Sequence, residues 1–167
     1  MEERKMTMSK YRNLKQFMRG ISPLLGGQMI GGIIVRNARV DYAETKTPPF
    51  SPPGFVFPIV WSVLYTSMGI AHALVSRKHR SYVTSFLYYT QLVLNYAWAV
   101  IYFRLKWRGV AVIESFLLLG AVMVTTVQFF RKSQIAGVLF LPYVAWCAFA
   151  SYITTGSYSL NKNQSTY

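Results

Sequence analysis

The stretch Gly54–Ser76, GFVFPIVWSVLYTSMGIAHALVS, decides the architecture. It lies within 30 uncharged residues that separate Lys46 from Arg77. A helix needs about 20 mostly apolar residues to cross ~30 Å of hydrocarbon, so this stretch spans with room to spare. Uncharged stretches recur on either side. They run for 16 residues between Arg19 and Arg36, 23 between Arg80 and Arg104, and 29 between Lys132 and Lys162. Between Arg108 and Arg131 there are 22 residues broken only by Glu114. The pattern predicts an all-α integral membrane protein, a five-transmembrane-helix bundle with spans near residues 17–35, 54–76, 81–103, 109–130 and 134–156. Residues 1–16 form a basic tail, 17–161 the membrane domain and 162–167 a C-terminal tail. The first span is the shortest and carries Pro23 among its glycines, so it needs tilt or flanking residues to cross.

Composition agrees. The 167 residues hold 18 Lys plus Arg against 5 Asp plus Glu, a net charge of +13. Such a balance fits a nucleic-acid binder until the charges are located. They sit in short runs between the spans, at Arg77, Lys78 and Arg80, at Arg104, Lys106 and Arg108, and at Arg131 and Lys132. A soluble bundle would show charges every three or four residues along a polar face. Repeated ten-residue alternation, the mark of a membrane β-barrel, is absent. Lipid headgroups, not nucleic acid, are the partners this distribution fits. A single cysteine, Cys147, and two histidines, His72 and His79, exclude a disulfide scaffold and a zinc site, and no metal or required cofactor is expected. No cleavage site follows the first apolar stretch, which reads as an uncleaved span. Counting Lys and Arg by side places the N-terminus inside.

Between the first two spans lies RNARVDYAETKTPPFSPPG, residues 36–54, with Pro48, Pro49, Pro52 and Pro53. Proline fixes φ and pushes the preceding residue to extended geometry, so Thr47–Pro53 reads as a stiff strap. It is either a helix-start signal with an ordinary loop or a lid over one mouth of the bundle. Within the spans, Trp61, Tyr65, Met68 and His72 share a helical face, as do Gln91, Asn95, Trp98 and Tyr102, and Tyr143, Trp146 and Ala150. Polar groups avoid lipid, so these stripes point inward. They describe either hydrogen-bonded glue between helices or an aromatic-walled pocket with a few polar anchors. Glu114, the one acid within a span, is a functional candidate by default, with a local ion pair to Arg108 as the alternative. Gly27-x-x-x-Gly31 permits close helix approach, within one bundle or between two. Val100-x-Tyr102-x-Arg104 matches a weak sterol motif. Phosphate loops, metal spacings and nucleophile–base sets are missing.

Taken together, these residues resemble the translocator protein family, also called tryptophan-rich sensory protein (TspO/MBR), over residues 20–161. The resemblance rests on Pro48-x-Phe50-x-Pro52-Pro53-Gly54, Phe57-Pro58-x-x-Trp61-x-x-Leu64-Tyr65, Gln91-x-x-Leu94-Asn95-x-x-Trp98, Leu141-Pro142-Tyr143-x-x-Trp146-x-x-Phe149-Ala150 and the closing Leu160-Asn161. It implies a five-helix bundle, a homodimer, and a pocket that binds porphyrin or another flat hydrophobic molecule in a sensory role. Matched by position, the ligand-binding residues are Tyr42, Pro48, Trp61, Tyr65, Asn95, Trp98, Glu114, Tyr143 and Trp146. Light-dependent porphyrin breakdown would use Trp61 and Trp146; a transporter of porphyrins or sterol-like lipids is a further alternative. The location implied is a bacterial cell membrane. Thr47, Thr45 and Ile153-Thr154 depart from the family pattern and bear on ligand preference, not on fold.

Overall fold

A computed structural model describes residues 10, 14, 18, 20–30, 32, 38–78 and 81–163, with only the backbone of Arg39 and Lys78. The other residues, Gly31, 33–37, His79 and Arg80 among them, lie outside the description. Among the described residues every regular element is helical: α1 (residues 20–30), α2 (Ala38–Glu44), α3 (Val56–Lys78), α4 (Tyr82–Ala99), α5 (Arg108–Lys132) and α6 (Gln134–Asn161). A π-helical turn, Val100–Arg104, continues α4.

Three of these helices are long and apolar enough to cross a membrane: Val56–Arg77, Arg108–Lys132 and Gln134–Asn161. They correspond to three of the five expected spans. The third expected span contains α4, whose 18 residues include Tyr82, Tyr88, Tyr89 and Tyr96 together with Gln91 and Asn95. Those side chains lower its hydropathy. The first expected span falls partly on residues outside the description.

Helix ends follow local chemistry. Ser81 caps α4 by accepting the N–H of Thr84, and Ser133 caps α6 by accepting that of Ala136. Ser133 is also the only residue between α5 and α6, which forces these helices into an antiparallel hairpin. Ser151 Oγ donates to Ser115 O across the hairpin at 3.2 Å, which fixes its register. Between α4 and α5, Thr125 Oγ1 donates to Leu87 O at 3.3 Å. In α6 the turn before Pro142 is served from α3, where Ser67 Oγ donates to Leu139 O at 2.7 Å. Hydroxyl donors of this kind satisfy backbone carbonyls where water is absent.

The core is built of rings and small residues. Met68, Tyr88, Phe129, Phe140 and Tyr143 are fully enclosed. His72 stacks on Tyr88 with centroids 3.9 Å apart. The glycines of α1 are used inside the bundle. A Cβ on Gly27 would collide with the Tyr65 ring, one on Gly26 with Tyr96, and one on Gly69 of α3 with the backbone of Gly20. Of the two readings of the glycine pattern, the contact within one bundle holds for these positions.

Candidate functional site

A cavity of about 240 Å³ opens where α1, α2, α3 and the end of α4 meet. The stripe on α3 supplies Trp61 and Tyr65, and that on α4 supplies Asn95 and Trp98. Tyr42 of α2 closes the loop side, together with Gly54, Phe57 and Pro58 at the start of α3. Five of the nine expected ligand residues therefore line one cavity: Tyr42, Trp61, Tyr65, Asn95 and Trp98.

Ring contacts and hydrogen bonds brace the walls. Trp61 stacks on Tyr65 at 5.3 Å and 27°. The Tyr65 hydroxyl donates to Asn95 Oδ1 at 2.6 Å. Trp98 stacks on Tyr102 at 5.0 Å, and the Arg108 guanidinium lies 4.2 Å from the centre of that tyrosine ring. Tyr102 is itself buried, so the tyrosine of the sterol motif does not face lipid. Trp98 Nε1 is buried with no acceptor among the described residues, which leaves a donor in the cavity wall.

Four expected residues lie outside that lining. Trp146 packs behind Trp61, edge to face at 6.4 Å, and lines a separate outer depression between α3 and α6 with Ile59, Val63 and Pro142. Of the tryptophan pair assigned to photochemistry, only Trp61 faces the cavity. Tyr143 is fully buried and donates to Gln91 Oε1 at 2.9 Å, so it joins α6 to α4. Glu114 is buried on α5, and neither carboxylate oxygen has a hydrogen-bond partner among the described residues. No ion pair joins it to Arg108 among the described residues, so that alternative is not formed.

Pro48 belongs to the strap. Its ring rests on Gly156, where any side chain would collide with it. Asn161 clamps the strap backbone twice: its Nδ2 donates to Lys46 O at 2.7 Å, and Lys46 N donates to its Oδ1 at 3.1 Å. Tyr152 donates to Pro49 O at 3.1 Å. The prolines thus form a strap fastened to the end of α6, and the residues at its two ends, Tyr42 and Gly54, line the cavity. At the start of the strap, the Tyr42 hydroxyl donates to Pro52 O at 2.9 Å, and its ring meets Phe57 edge to face at 5.2 Å. Burial pushes the Tyr42 phenol above its ordinary range, which keeps it a donor.

Sequence reasoning missed Phe57, Gln28 and Phe103. Phe57 stands four residues before Trp61, on the same helical face, so its signal was present. Gln28, on α1, donates from Nε2 to Ser62 Oγ at 2.9 Å. Phe103 lies within the π-helical turn, for which no sequence signal stood out.

The fold and the cavity define a helical membrane protein whose loop-capped internal chamber is walled by tryptophan and tyrosine. The chain belongs to the TspO/MBR family, which it matches over residues 21–159. It is similar to the human translocator protein, 36% identical over 115 residues, covering 66% of this chain and 68% of the human one. The tryptophan-rich protein TspO of Chlorobaculum tepidum is 32% identical over 124 residues, 72% of this chain and 78% of that protein. The tryptophan-rich sensory protein of Cereibacter sphaeroides is 31% identical over 123 residues, with coverage of 74% and 78%. Eukaryotic and bacterial proteins stand side by side here, so kinship gives a membrane protein without assigning a bacterial origin.

Proposed function

We propose that this protein binds a flat aromatic tetrapyrrole of the porphyrin type in the cavity beneath the strap and acts as a sensor of it. The observation that carries the reading is the convergence of Trp61, Trp98, Tyr65 and Tyr42 on one chamber, with Asn95 as polar anchor. Ring faces recognise a flat π-system, and a few fixed polar groups orient it. At about 240 Å³ the chamber is smaller than the roughly 300–1,000 Å³ of drug-sized sites. A macrocycle therefore needs the chamber to widen, and we propose that the strap between the lining residues Tyr42 and Gly54, tethered through Asn161, Tyr152 and Tyr42, is the element that shifts. The bacterial cell membrane and the five-span topology are retained as parts of the proposal; membrane fractionation of the native source decides the first.

The test is a dark titration of the purified protein with protoporphyrin, read by tryptophan fluorescence. Saturable quenching is expected, weakened by Trp98→Ala and Asn95→Ala; linear, non-saturating quenching in the wild type would sink the reading. Contact between Trp61 and Trp146 favours one second reading, photo-oxidation of the bound ring. Under illumination, Trp61→Phe would then slow porphyrin loss more than Trp146→Phe, because only Trp61 faces the chamber. Equal loss in both variants and a protein-free control would remove that reading.

A further inference from the structure

Lys106 stands where two uncommon backbone features meet. The π-helical turn Val100–Arg104 ends α4, a feature frequent at functional sites. Lys106 follows with φ 55°, in the left-handed region that few residues other than glycine occupy. Strain of this kind persists only where the surroundings enforce it, and it clusters at ligand clamps. Here the two features turn the chain so that Lys106 Nζ reaches Asp41 Oδ1 of α2 at 3.3 Å, the one ion pair among the described residues.

The pair sits astride the cavity rim. On one side, Ala38 and Tyr42 flank Asp41 along α2 and line the chamber. On the other, Ala99 and Phe103 precede Lys106 and line the opposite wall. With side-chain exposures of 51% for Lys106 and 19% for Asp41, the pair contributes little to stability and exchanges readily. Arg108, the neighbouring cation, is buried over the Tyr102 ring and is committed there. Lysine carries a compact charge on a flexible four-carbon stem, suited to changing partners.

We propose that Lys106 is the specificity-determining residue for an anionic ligand: a carboxylate on the bound aromatic molecule takes the place of Asp41 at Lys106 Nζ. This rests on the cavity reading above and narrows its ligand to an aromatic carboxylic acid.

The test compares protoporphyrin with its dimethyl ester, the same ring without charge. Both are titrated in the dark into the full chain in detergent, as wild type and as Lys106→Met, Lys106→Arg, Asp41→Asn and Lys162→Met. The acid should bind the wild type about tenfold more tightly than the ester, the scale of one charge-assisted hydrogen bond. Lys106→Met should erase that preference by weakening the acid, while Lys106→Arg retains it. Asp41→Asn should tighten the acid alone, which tests the exchange without touching the strained position. Exposed Lys162 lies past the end of α6 and controls for loss of overall charge. Equal affinity for acid and ester in the wild type, or equal losses in Lys162→Met and Lys106→Met, would overturn the proposal while the cavity reading stands. Binding of neither ring form removes the cavity reading and this inference with it.

Discussion

At the scale of single residues, the strap is held by contacts no local pattern announces. Asn161 and Lys46 are 115 positions apart, and hydrophobic periodicity carries no information about such a pair. The prolines made the strap's stiffness legible; its fastening was not. Asn161 is fully buried and also donates to Ser157 O at 2.7 Å. Asn161→Ala strands Lys46 N and O and should destabilise the fold by about 1–3 kcal/mol. A lower Tm in detergent, with faster proteolysis within residues 46–53, checks it. Gly156→Ala acts from the other side of the contact. Its Cβ would fall 2.6 Å from Pro48 Cγ, and a proline ring fixed in a strap has little room to give. Overpacking of this kind costs about 1–3 kcal/mol, so the strap should open without any lost hydrogen bond. Tyr42 adds a pH dependence. Its phenol titrates higher in the folded chain than in the unfolded one, chiefly through burial. The stabilisation is therefore complete below the ordinary phenol range and is lost as pH rises through the folded value. Above about pH 10, the wild type should lose its strap protection and converge on Tyr42→Phe; hydrogen exchange over residues 42–53 measures this.

At the scale of elements, the inward faces were the most legible part of the molecule. The three aromatic stripes emerge where helical spacing put them, since lipid leaves polar side chains nowhere else to go. Five of nine expected ligand residues share the chamber. Of the four that lie outside it, Pro48 rests on Gly156 in the strap, and the other three share a cause. Trp146, Tyr143 and Glu114 lie on α6 and α5, and a face-by-face reading cannot tell a residue that lines a chamber from one packed behind its wall. Trp146 stands behind Trp61 in this way, and Tyr143 is tied to Gln91. The π-helical turn was invisible for a different reason: Val100–Arg104 contains no glycine or proline to announce it. The link between α3 and α4 gives a quantitative expectation. Tyr65→Phe leaves Asn95 Oδ1 buried without its donor and should lower stability by about 1–3 kcal/mol. Adding Asn95→Leu removes the orphaned acceptor and should recover part of the loss. Denaturation of the four members of this cycle, without ligand, reads the coupling; strictly additive losses would mean the bond contributes nothing.

At the scale of the whole molecule, the number of membrane crossings turns on α4. Hydropathy marks α3, α5 and α6 as spans and passes over α4, whose tyrosines weigh against it. Packing argues otherwise. At one end of α4, Leu87 O accepts from Thr125, near the C-terminal end of α5. At the other, Tyr102 lies under Arg108, the first residue of α5. Helix α4 with its π-helical turn thus runs the full length of α5. It comprises 23 residues, or about 34 Å at the α-helical rise, against ~30 Å of hydrocarbon. Its polar groups are turned inward, where Asn95 accepts from Tyr65 and Gln91 from Tyr143, so lipid meets mainly Val83, Phe86, Tyr89 and Val93. We therefore expect α4 to cross despite its modest hydropathy, because its polar side chains face neighbouring helices and not lipid. The expectation is that Tyr82 and Leu105 face opposite sides of the membrane, with Arg131 on the side of Tyr82 and Asn163 on that of Leu105. Single cysteines at these four exposed positions, in a Cys147→Ala background, would be labelled with a membrane-impermeant maleimide in sealed vesicles of one orientation. Labelling of Tyr82→Cys and Leu105→Cys from the same side would show that α4 re-enters without crossing. The chamber would then lose the wall that Asn95 and Trp98 supply from a spanning helix, so the topology and the ligand site stand on the same measurement.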